Sequence, residues 1–340
     1  MTRVGIVGVS GYSGLIALKL LLKHPDVRLT YVSANTTTGK VGEIWPQLFG
    51  QTKLECVKFD AAEAAQKCDL VFLAVPHKIS MEIAPLLLKK GLKVIDLSGD
   101  YRLKNTRLYK QWYGTDHIDP LNLKYAIYGL PELFRVKIKK ASFIANPGCY
   151  PTAALLGLAP VVSIYTPLIE QIVIDAKSGV SGAGKKASID LTFCEVNESF
   201  KAYKVLQHQH SPEIETYLKK ISAGSEFDFN FVAHLLPINQ GILETIYVHL
   251  KEKISLSELH KIYKRFYHSD TFVRVLELGT QPELKNVVNT NFCDIGMAQS
   301  ANGKLLVITS VIDNLYKGAA SQAVQNMNII CGFNETIGIL

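Results

Sequence analysis

The chain opens with RVGIVGVSGYSGLIALKLLLK, residues 3–23, and this stretch decides the fold of its first half. An apolar strand pattern over 3–7 runs into a loop with three glycines, and a helical pattern follows over 15–23. Glycines in such a loop let backbone N–H groups approach a pyrophosphate, and the amino end of the helix favours negative charge. The GxxGxxG spacing departs from GxGxxG, so an ordinary glycine turn is the alternative.

Strand and helix patterns alternate after this loop. Apolar strand patterns lie at 27–32, 54–59, 70–74 and 93–97, and an amphipathic helix is expected over 80–90. Such alternation is typical of a parallel, doubly wound sheet with helices on both faces. We therefore expect an α/β protein whose N-terminal domain is a Rossmann-type sheet.

The end of the second strand bears on which dinucleotide would bind. An NAD enzyme usually places an Asp or Glu there for the ribose 2′-hydroxyl, and residues 32–36 read VSANT, with no acid. Hydroxyls at Ser33, Thr36 and Thr37, with Lys40 nearby, would instead accommodate a 2′-phosphate. The pattern favours NADP over NAD.

Two further strand ends point to the same crevice. One strand closes with Ala74–His77 and the next with DLSGDYR, residues 96–102. Ligands of open parallel sheets lie beyond the carboxyl ends of the strands, which places Ser98 and Arg102 near a cofactor or an anionic substrate. Arg102 is suited to gripping a phosphate through its planar fork, and a surface ion pair is the alternative.

Residues 144–152, IANPGCYPT, combine a strand end, a tight turn and the start of a helix expected over 151–162. Cys149 lies at this turn, where the positive end of the helix dipole favours the thiolate. A nucleophilic cysteine is therefore predicted, with a merely packed cysteine as the alternative.

The second half supplies a candidate proton carrier. A strand at 171–175 leads into AKSGVSGAG, residues 176–184, a loop that would cover a cofactor or serve as a flexible linker. Further on, HQHSPEI, residues 208–214, opens a helix with two histidines just ahead of it. Histidine exchanges protons near neutral pH, so His208 and His210 are candidate acid/base residues, unless they only pack.

The remaining patterns predict an α+β domain with a mixed sheet. Strands are expected at 230–237, 243–250, 272–278 and 304–312, with a hairpin turn at Asn302-Gly303 and helices at 255–268 and 315–328. We expect three segments: an NADP-binding domain at 1–148, a catalytic and oligomerisation domain at 149–312, and a C-terminal helix at 313–340 that packs on the first domain.

Composition excludes several classes of protein. A length of 340 residues fits two domains, and the net charge of +7 is spread along the chain, which argues against a nucleic-acid-binding face. The six cysteines form no CxxC pair, which argues against a disulfide framework and against a metal site. Neither a leader pattern nor a membrane-length apolar run is evident, so we expect a cytoplasmic protein.

The stretch 144–160 also resembles the active-site signature of the N-acetyl-gamma-glutamyl-phosphate reductases. Further motifs of that family recur in order along nearly the whole chain, at 11–14, 75–77, 128–132, 178–184, 208–214 and 313–320. The resemblance implies an NADP-dependent enzyme that reduces N-acetyl-L-glutamyl 5-phosphate to the 5-semialdehyde in arginine biosynthesis, through a thioester on Cys149, with His208, or else His210, as acid/base. The patterns and the resemblance together predict substrate or phosphate contacts at Arg102 and Asn146, and cofactor contacts at Gly8, Ser10, Gly11, Tyr12, Ser13, Gly14, Ser33, Pro76, Ser98, Ser178, Gly179, Gly182 and Asn314, with no metal.

Three questions stay open at this stage. Gln240 stands where the family often has Arg, which puts the role of that Arg in this chain in doubt. A related reductase of an aspartyl or amino-adipyl phosphate would share the mechanism, and a non-catalytic NADP sensor would share the cofactor cradle. The family resemblance also implies a homodimer or homotetramer.

Overall fold

The computed structural model describes all residues, 1–340, in two compact units. The first unit comprises residues 1–148 and 319–340, and the second comprises residues 149–318. The chain thus passes between the units twice, after Gly148 and after Gly318. The second unit includes residues 313–318, which the sequence-based division assigned to the C-terminal segment.

The first unit contains the predicted Rossmann-type sheet. Its strand order is β3-β4-β2-β1-β5-β6-β8-β7, and every pair is parallel except β3 with β4. Strand β5 is completely buried, as expected of a central strand covered on both faces. The strands are β1 (Thr2–Val7), β2 (Val27–Ser33), β3 (Gly39–Lys40), β4 (Glu55–Val57), β5 (Leu70–Leu73), β6 (Lys93–Asp96), β7 (Ile127–Tyr128) and β8 (Phe143–Ala145).

The register brings the strand ends to one level. Val7 of β1 pairs with Leu73 of β5, Leu73 with Asp96 of β6, and Asp96 with Ala145 of β8. The loops that follow these strands therefore leave the same edge of the sheet. Because β2 and β5 flank β1 on opposite sides, the strand order reverses there, and ligands of doubly wound sheets bind at such a switch point.

The second unit contains a mixed sheet, as predicted. Its strand order is β10-β11-β9-β12-β15-β14-β13, in which only β9 with β11 and β13 with β14 run parallel. Strands β14 and β15 form a hairpin at the predicted turn, which carries Gly303 at a φ of 73°. The strands are β9 (Ile169–Ser178), β10 (Lys201–Tyr203), β11 (Asp228–Leu235), β12 (Ile242–Leu250), β13 (Val273–Val275), β14 (Cys293–Gln299) and β15 (Leu305–Ile312).

Twelve α-helices accompany the two sheets. Those of the first unit are α1 (Tyr12–Lys23), α2 (Val41–Ile44), α3 (Ala61–Lys67), α4 (Ser80–Lys89), α5 (Thr106–Tyr113), α6 (Pro120–Tyr125), α7 (Pro131–Ile138) and α12 (Ser321–Cys331). Those of the second unit are α8 (Cys149–Tyr165), α9 (Phe193–Val196), α10 (Ser211–Ile221) and α11 (Leu256–Phe266). A π-helical turn, Tyr316–Ala320, precedes α12.

Helix α8 is the core helix of the second unit. It packs on the sheet at Gly157, where an added Cβ would lie 3.0 Å from Cδ1 of Ile246. The hydroxyls of Tyr263 on α11 and of Tyr267, directly after it, donate to the α8 carbonyl groups of Gly157 and Leu156. By length and composition the segment Cys149–Leu168 is apolar enough to cross a membrane, contrary to the sequence-based expectation, but 72% of it is buried inside the protein. Its apolar character is explained by this burial.

Helix α12 belongs to the first unit and carries an unusual set of buried polar side chains. Gln322 and Asn326 are fully buried, and both donate to the carbonyl oxygen of Gly129. Asn326 also donates to Oδ1 of Asn146 at 3.1 Å. The helix thereby holds the segment that follows β8, as buried amides do when their partners are in place.

Candidate active site

Cys149 is the first residue of α8 and is half-buried. The helix begins there, directly after the Pro147-Gly148 turn, rather than at Pro151 as the sequence suggested. The thiol is thus attached to the residue nearest the positive end of a 17-residue helix. The helix dipole and the backbone N–H groups at the amino end of a helix stabilise a thiolate and the oxyanion of an attacked carbonyl.

An aromatic cluster joins the start of α8 to the two predicted histidines. The ring of Tyr150, next to the cysteine, lies 5.4 Å from the ring of His208 and 6.1 Å from that of His210, centroid to centroid. The Tyr150 hydroxyl is 3.0 Å from that of Tyr203. Burial raises the pKa of Tyr203 to about 12, and the negative charge of Cys149 adds to this effect. Both phenols therefore stay neutral hydrogen-bonding groups at working pH.

The two histidines have different surroundings. Nδ1 of His210 lies 3.0 Å from Oε2 of Glu213, which is one helical turn further on and 1% exposed. His208 accepts the backbone N–H of His210 at its own Nδ1, 3.2 Å away. Burial, together with smaller contributions from the nearby His210 and Lys204, lowers the pKa of His208 to about 2. His208 is therefore neutral at working pH, whereas His210 has a carboxylate that can stabilise its cationic form.

Gly318 closes the space on another side of the cysteine. A Cβ added at Gly318 would lie 2.7 Å from the Cβ of Cys149, so the close approach requires glycine. The turn before it is built on Asp313, whose carboxylate accepts from the backbone N–H groups of Leu315 and Tyr316. Gln240, which stands where the family often has Arg, donates to the same carboxylate at 3.1 Å. Its side chain is thus hydrogen-bonded to another residue of the second unit.

Four of the predicted cofactor residues gather in a second cluster of this unit, made of three loops. Asn314 accepts the N–H of Gly241 and donates to Ser181. A Cβ at Gly179 would lie 2.7 Å from the carbonyl oxygen of Asn239, so the 178–184 loop lies directly on the 238–241 loop. Ser178 and Gly182 complete the cluster, since a Cβ at Gly182 would be 3.2 Å from Oγ of Ser178.

The glycine loop of the first unit forms a cradle of bare backbone. Gly8 has a φ of +96°, and a Cβ there would lie 2.2 Å from the carbonyl oxygen of Ala74. A Cβ at Gly14 would lie 2.3 Å from the carbonyl oxygen of Gly8, whereas one at Gly11 would meet its nearest neighbour at 3.7 Å. Gly8 and Gly14 thus allow close packing of backbone on backbone, and the open side at Gly11 leaves room for a ligand. At a helix N-terminus, on the switch point of a parallel sheet, this arrangement fits a dinucleotide pyrophosphate.

The other predicted residues of the first unit lie around this cradle. Ser33 is fully buried, and its carbonyl oxygen accepts the N–H groups of Gly8 and Val9. Trp45, which the sequence gave no reason to select, donates its indole N–H to the carbonyl of Val9 at 2.9 Å. Ser10, Tyr12 and Ser13 are half-buried in the loop and Pro76 is exposed.

Arg102 and Asn146 are buried at the same edge of the sheet. Arg102 donates to the backbone carbonyl groups of Leu97 and Asn146 at 2.8 Å each. The amide of Asn146 donates to the carbonyl of Ala319 and accepts from Asn326. Both side chains are thus held by other parts of the first unit.

Comparison with known proteins agrees with the geometry of both units. Residues 3–141 match the family model described as semialdehyde dehydrogenase, NAD binding domain, and residues 149–314 match semialdehyde dehydrogenase, dimerisation domain. The chain is 47% identical to the N-acetyl-gamma-glutamyl-phosphate reductase of Geotalea daltonii and 46% identical to that of Desulfotalea psychrophila, covering all of this chain and 98% of each relative. The chain belongs to the N-acetyl-gamma-glutamyl-phosphate reductase family.

Solved structures show the same fold at low sequence identity. Aspartate semialdehyde dehydrogenase II of Vibrio cholerae superposes with a TM-score of 0.72 at 17% identity, over 98% of each chain. A Candida albicans aspartate semialdehyde dehydrogenase with NADP gives 0.74 at 14% identity, over 97% of this chain and 98% of that one. The expected fold class and family are both confirmed, and this N-acetyl-gamma-glutamyl-phosphate reductase family member is an oxidoreductase with a dinucleotide-binding domain.

Sequence reasoning missed several residues of the N-acetyl-gamma-glutamyl-phosphate reductase site. Glu213 follows His210 by three residues at a helix start, a spacing that places the two side chains side by side and was a readable signal. Tyr203 and Gly318 are brought to the cysteine helix only by the tertiary fold. No local pattern identifies them.

Proposed function

We propose that this protein catalyses the NADPH-dependent reduction of N-acetyl-L-glutamyl 5-phosphate to N-acetyl-L-glutamate 5-semialdehyde and phosphate. The observation that carries the proposal is a half-buried cysteine at the first position of α8, in the same unit as a buried His210–Glu213 pair. The full-length identity of 47% to a reductase of that name supports the substrate. The reaction is a step of arginine biosynthesis.

Cys149 is the nucleophile of the proposed mechanism. Its thiolate attacks the carbonyl carbon of the acyl phosphate, a carbon–sulfur bond forms, and the carbon–oxygen bond to phosphate breaks with its electron pair on the leaving oxygen. A thioester on Cys149 results. NADPH, when bound, would supply the hydride that reduces this carbonyl carbon. The carbon–sulfur bond then breaks with its electron pair on sulfur, which releases the aldehyde and regenerates the Cys149 thiolate. Backbone N–H groups at the start of α8 stabilise the carbonyl oxygen as it becomes negative.

We assign the acid/base role to His210 rather than His208, which the sequence favoured. A proton carrier must hold the thiol proton and pass it to the departing phosphate. His210 has the Glu213 carboxylate at 3.0 Å to stabilise its protonated form. His208, whose pKa burial lowers to about 2, does not hold a proton near neutrality and serves as a packing and hydrogen-bonding neighbour.

Each unit contains residues proposed for cofactor contacts. In the first unit, the Gly8–Gly14 cradle would receive the pyrophosphate, and the acid-free segment after β2, with Ser33 and Thr36, favours NADP over NAD. In the second unit, the cluster around Ser178 and Asn314 would serve the cofactor. Arg102 and Asn146 are proposed to position the backbone that receives the phosphate-bearing end of the substrate.

We also infer a homo-oligomer and a cytoplasmic location. Alternate residues of β9 and β12 are buried under the helices, whereas Val173, Leu243 and Tyr247 on the other face are half-buried. A second copy covering this face would fit the match to a dimerisation domain. All six cysteines are free, as is usual in a reducing compartment.

The test is the reverse reaction, in which NADPH formation is followed from NADP, phosphate and N-acetylglutamate semialdehyde. We expect turnover that requires both phosphate and NADP and that exceeds turnover of aspartate semialdehyde or with NAD. Preference for aspartate semialdehyde would contradict the substrate, and NADP binding without turnover of either aldehyde would indicate a sensor.

Two sets of variants test the residues. Cys149→Ser should lower kcat roughly 10³-fold or more, whereas Cys194→Ser, an exposed cysteine of the same unit, should not. His210→Asn should lower kcat by roughly 10²-fold or more, and His208→Asn by much less. The opposite order for the two histidines would transfer the acid/base role to His208.

A further inference from the structure

Two loops at the carboxyl edge of the first sheet are fastened to each other. One follows β5 and contains His77, and the other follows β6 and contains Gly99. The N–H of Gly99 donates to Nδ1 of His77 at 2.8 Å. One residue further along each loop, the N–H of Lys78 donates to Oδ1 of Asp100, also at 2.8 Å. We call these two hydrogen bonds the strand-end clasp.

One residue of the clasp, Lys78, has a strained backbone conformation. Lys78 has a φ of 77°, a left-handed conformation that a side chain other than glycine adopts rarely. Such strain persists only where the surroundings enforce it, and it is concentrated at binding and catalytic sites. Here the Asp100 carboxylate, which is fully buried and also accepts the Tyr109 hydroxyl at 2.8 Å, enforces it.

Aromatic rings pack against one side of the clasp. Tyr113 meets the His77 ring edge-on, with centroids 5.3 Å apart, and stacks on Tyr109 at 4.5 Å. A Cβ added at Gly99 would lie 2.2 Å from the Tyr113 hydroxyl and 2.9 Å from Nδ1 of His77. Gly99 can therefore approach His77 only because it has no side chain.

The clasped loop carries two of the predicted ligand contacts. Ser98 donates both its N–H and its hydroxyl to the Asp96 carboxylate at 2.9 Å, and its Oγ accepts the N–H of Asp100 at 3.2 Å. Arg102 ends the loop and donates to the carbonyl groups of Leu97 and Asn146. A shift of Gly99 would therefore move its neighbour Ser98, and with it the start of the segment that leads to Arg102.

The hydrogen bond fixes the tautomer of His77. Since Nδ1 accepts the hydrogen bond that the Gly99 N–H donates, the neutral imidazole carries its own proton on Nε2. A cationic His77, protonated on both nitrogens, would have no acceptor for Gly99. The loop therefore depends on a neutral histidine.

We propose that His77 is a positioning residue, whose Nδ1 holds Gly99 so that the 98–102 loop receives a phosphate group of the ligand. The inference rests on the proposed function, because that function supplies the ligands. A phosphate at this edge could belong to the dinucleotide or to the acyl phosphate. If the dinucleotide is the source, NADPH affinity should change; if the acyl phosphate is the source, the KM for inorganic phosphate should change.

His77→Leu and His77→Asn test the role. Leucine removes the acceptor, whereas the Oδ1 of asparagine can replace Nδ1 for Gly99. We measure NADPH affinity from the fluorescence change on binding, and KM and kcat for inorganic phosphate in the reverse reaction. His77→Leu should weaken NADPH binding or raise the KM for phosphate about tenfold, the loss expected for one well-placed hydrogen bond, with a smaller change in kcat. His77→Asn should restore the value to within about threefold.

The measured values identify the ligand that carries the phosphate, and they also decide whether His77 has a positioning role. Weaker NADPH binding assigns the phosphate to the cofactor, and a higher KM for phosphate assigns it to the substrate; either supports a positioning role. Unchanged values in His77→Leu would overturn it, as would a His77→Asn variant as weak as His77→Leu. If His77→Leu does not fold, His77→Phe replaces it, since phenylalanine keeps a ring against Tyr113 but offers Gly99 no acceptor, and unchanged values in that variant would overturn the role. His268→Leu, at an exposed position of the second unit, is the control. If the His77 variants contradict the positioning role while the wild-type enzyme is active, the proposed function still stands.

Discussion

Nδ1 of His210, directly before α10, and Oε2 of Glu213, in the first turn of that helix, lie 3.0 Å apart. The two side chains are 10% and 1% exposed, respectively. A carboxylate so deeply buried is stable as an anion only beside a positive or hydrogen-bonding partner. The imidazole and the carboxylate therefore stabilise each other's charge. Four predictions concern this pair and three other buried features.

Removing the charge of Glu213 without changing its shape should slow the reaction. Glu213→Gln keeps a side chain that can bond His210 but no longer stabilises its cation, so we expect kcat to fall about tenfold with little change in KM. Steady-state kinetics of the reverse reaction measures this. Glu215→Gln on the same helix, where Glu215 forms an exposed ion pair with Lys219, should leave kcat unchanged. Equal rates for the Glu213→Gln and wild-type enzymes would contradict the pairing.

His208 should make the protein less stable in acid. Its pKa is lowered to about 2 by burial, so the unfolded chain, with an ordinary histidine pKa of 6.5, binds the proton more readily. The contribution of neutral His208 to the free energy of unfolding is therefore complete above pH 6.5 and is lost as pH falls towards 2. Between pH 7.5 and pH 5 this group should cost about 2 kcal/mol of unfolding free energy.

Urea unfolding at these two pH values provides the measurement. His208→Asn should remove that part of the loss, and His268→Asn, at an exposed position, should not. The same pH dependence in His208→Asn and wild type would show that other groups cause it.

A methyl group at residue 318 should disturb the nucleophile. In Gly318→Ala the new Cβ would lie 2.7 Å from the Cβ of Cys149, so the cysteine or the π-helical turn must move. We expect kcat to fall more than tenfold, since small displacements of a reacting group are costly, and the rate of Cys149 alkylation to change.

Gly279→Ala is the matched control for general destabilisation. Gly279 has a φ of +92° and nothing within 4 Å of an added Cβ, so alanine there should cost about 1 kcal/mol of stability without affecting kcat. Comparable losses of kcat in both variants would indicate that the Gly318 contact with Cys149 has no special effect.

Glu244 should make the protein less stable at alkaline pH. It is fully buried on β12, neither carboxyl oxygen has a hydrogen-bond partner, and burial raises its pKa well above 4.5. The folded state therefore holds the proton more tightly than the unfolded state. Stability is highest below about pH 4.5 and falls as pH rises towards the folded pKa.

Glu244→Gln cannot ionise and should remove this decline, so its melting temperature should exceed that of the wild type more at pH 9 than at pH 5. Glu170→Gln changes an exposed residue of the same sheet and should have no such effect. A constant difference between Glu244→Gln and wild type across pH would contradict the interpretation.

The fold was largely predictable because its signals are local. The glycine loop, the buried strands and the Asn302-Gly303 turn each act within a few residues, and the structure has them where the patterns indicated. Strand β14 was not predicted, since CDIGMAQ, residues 293–299, contains a charge and a glycine that local rules disfavour in strands. Its buried position in the sheet overrides that preference.

The site was predictable only in part. Cys149 and the two histidines have local signatures, a helix start and an HxH pair. The distinction between the histidines comes from burial and from Glu213, and burial is a property of the folded chain. The same holds for Arg102, whose partners Leu97 and Asn146 are backbone carbonyl groups that no sequence pattern identifies.

Residues 319–340 complete the first unit, although they are synthesised after the whole of the second unit. On the ribosome, the second unit is therefore complete in sequence while the first still lacks α12, whose Asn326 holds Asn146 and Gly129. A nonsense mutation in the codons of residues 319–326 would consequently damage the dinucleotide-binding unit, most of which is encoded far upstream. Premature termination would act on the cofactor site and spare the unit that carries the thiol.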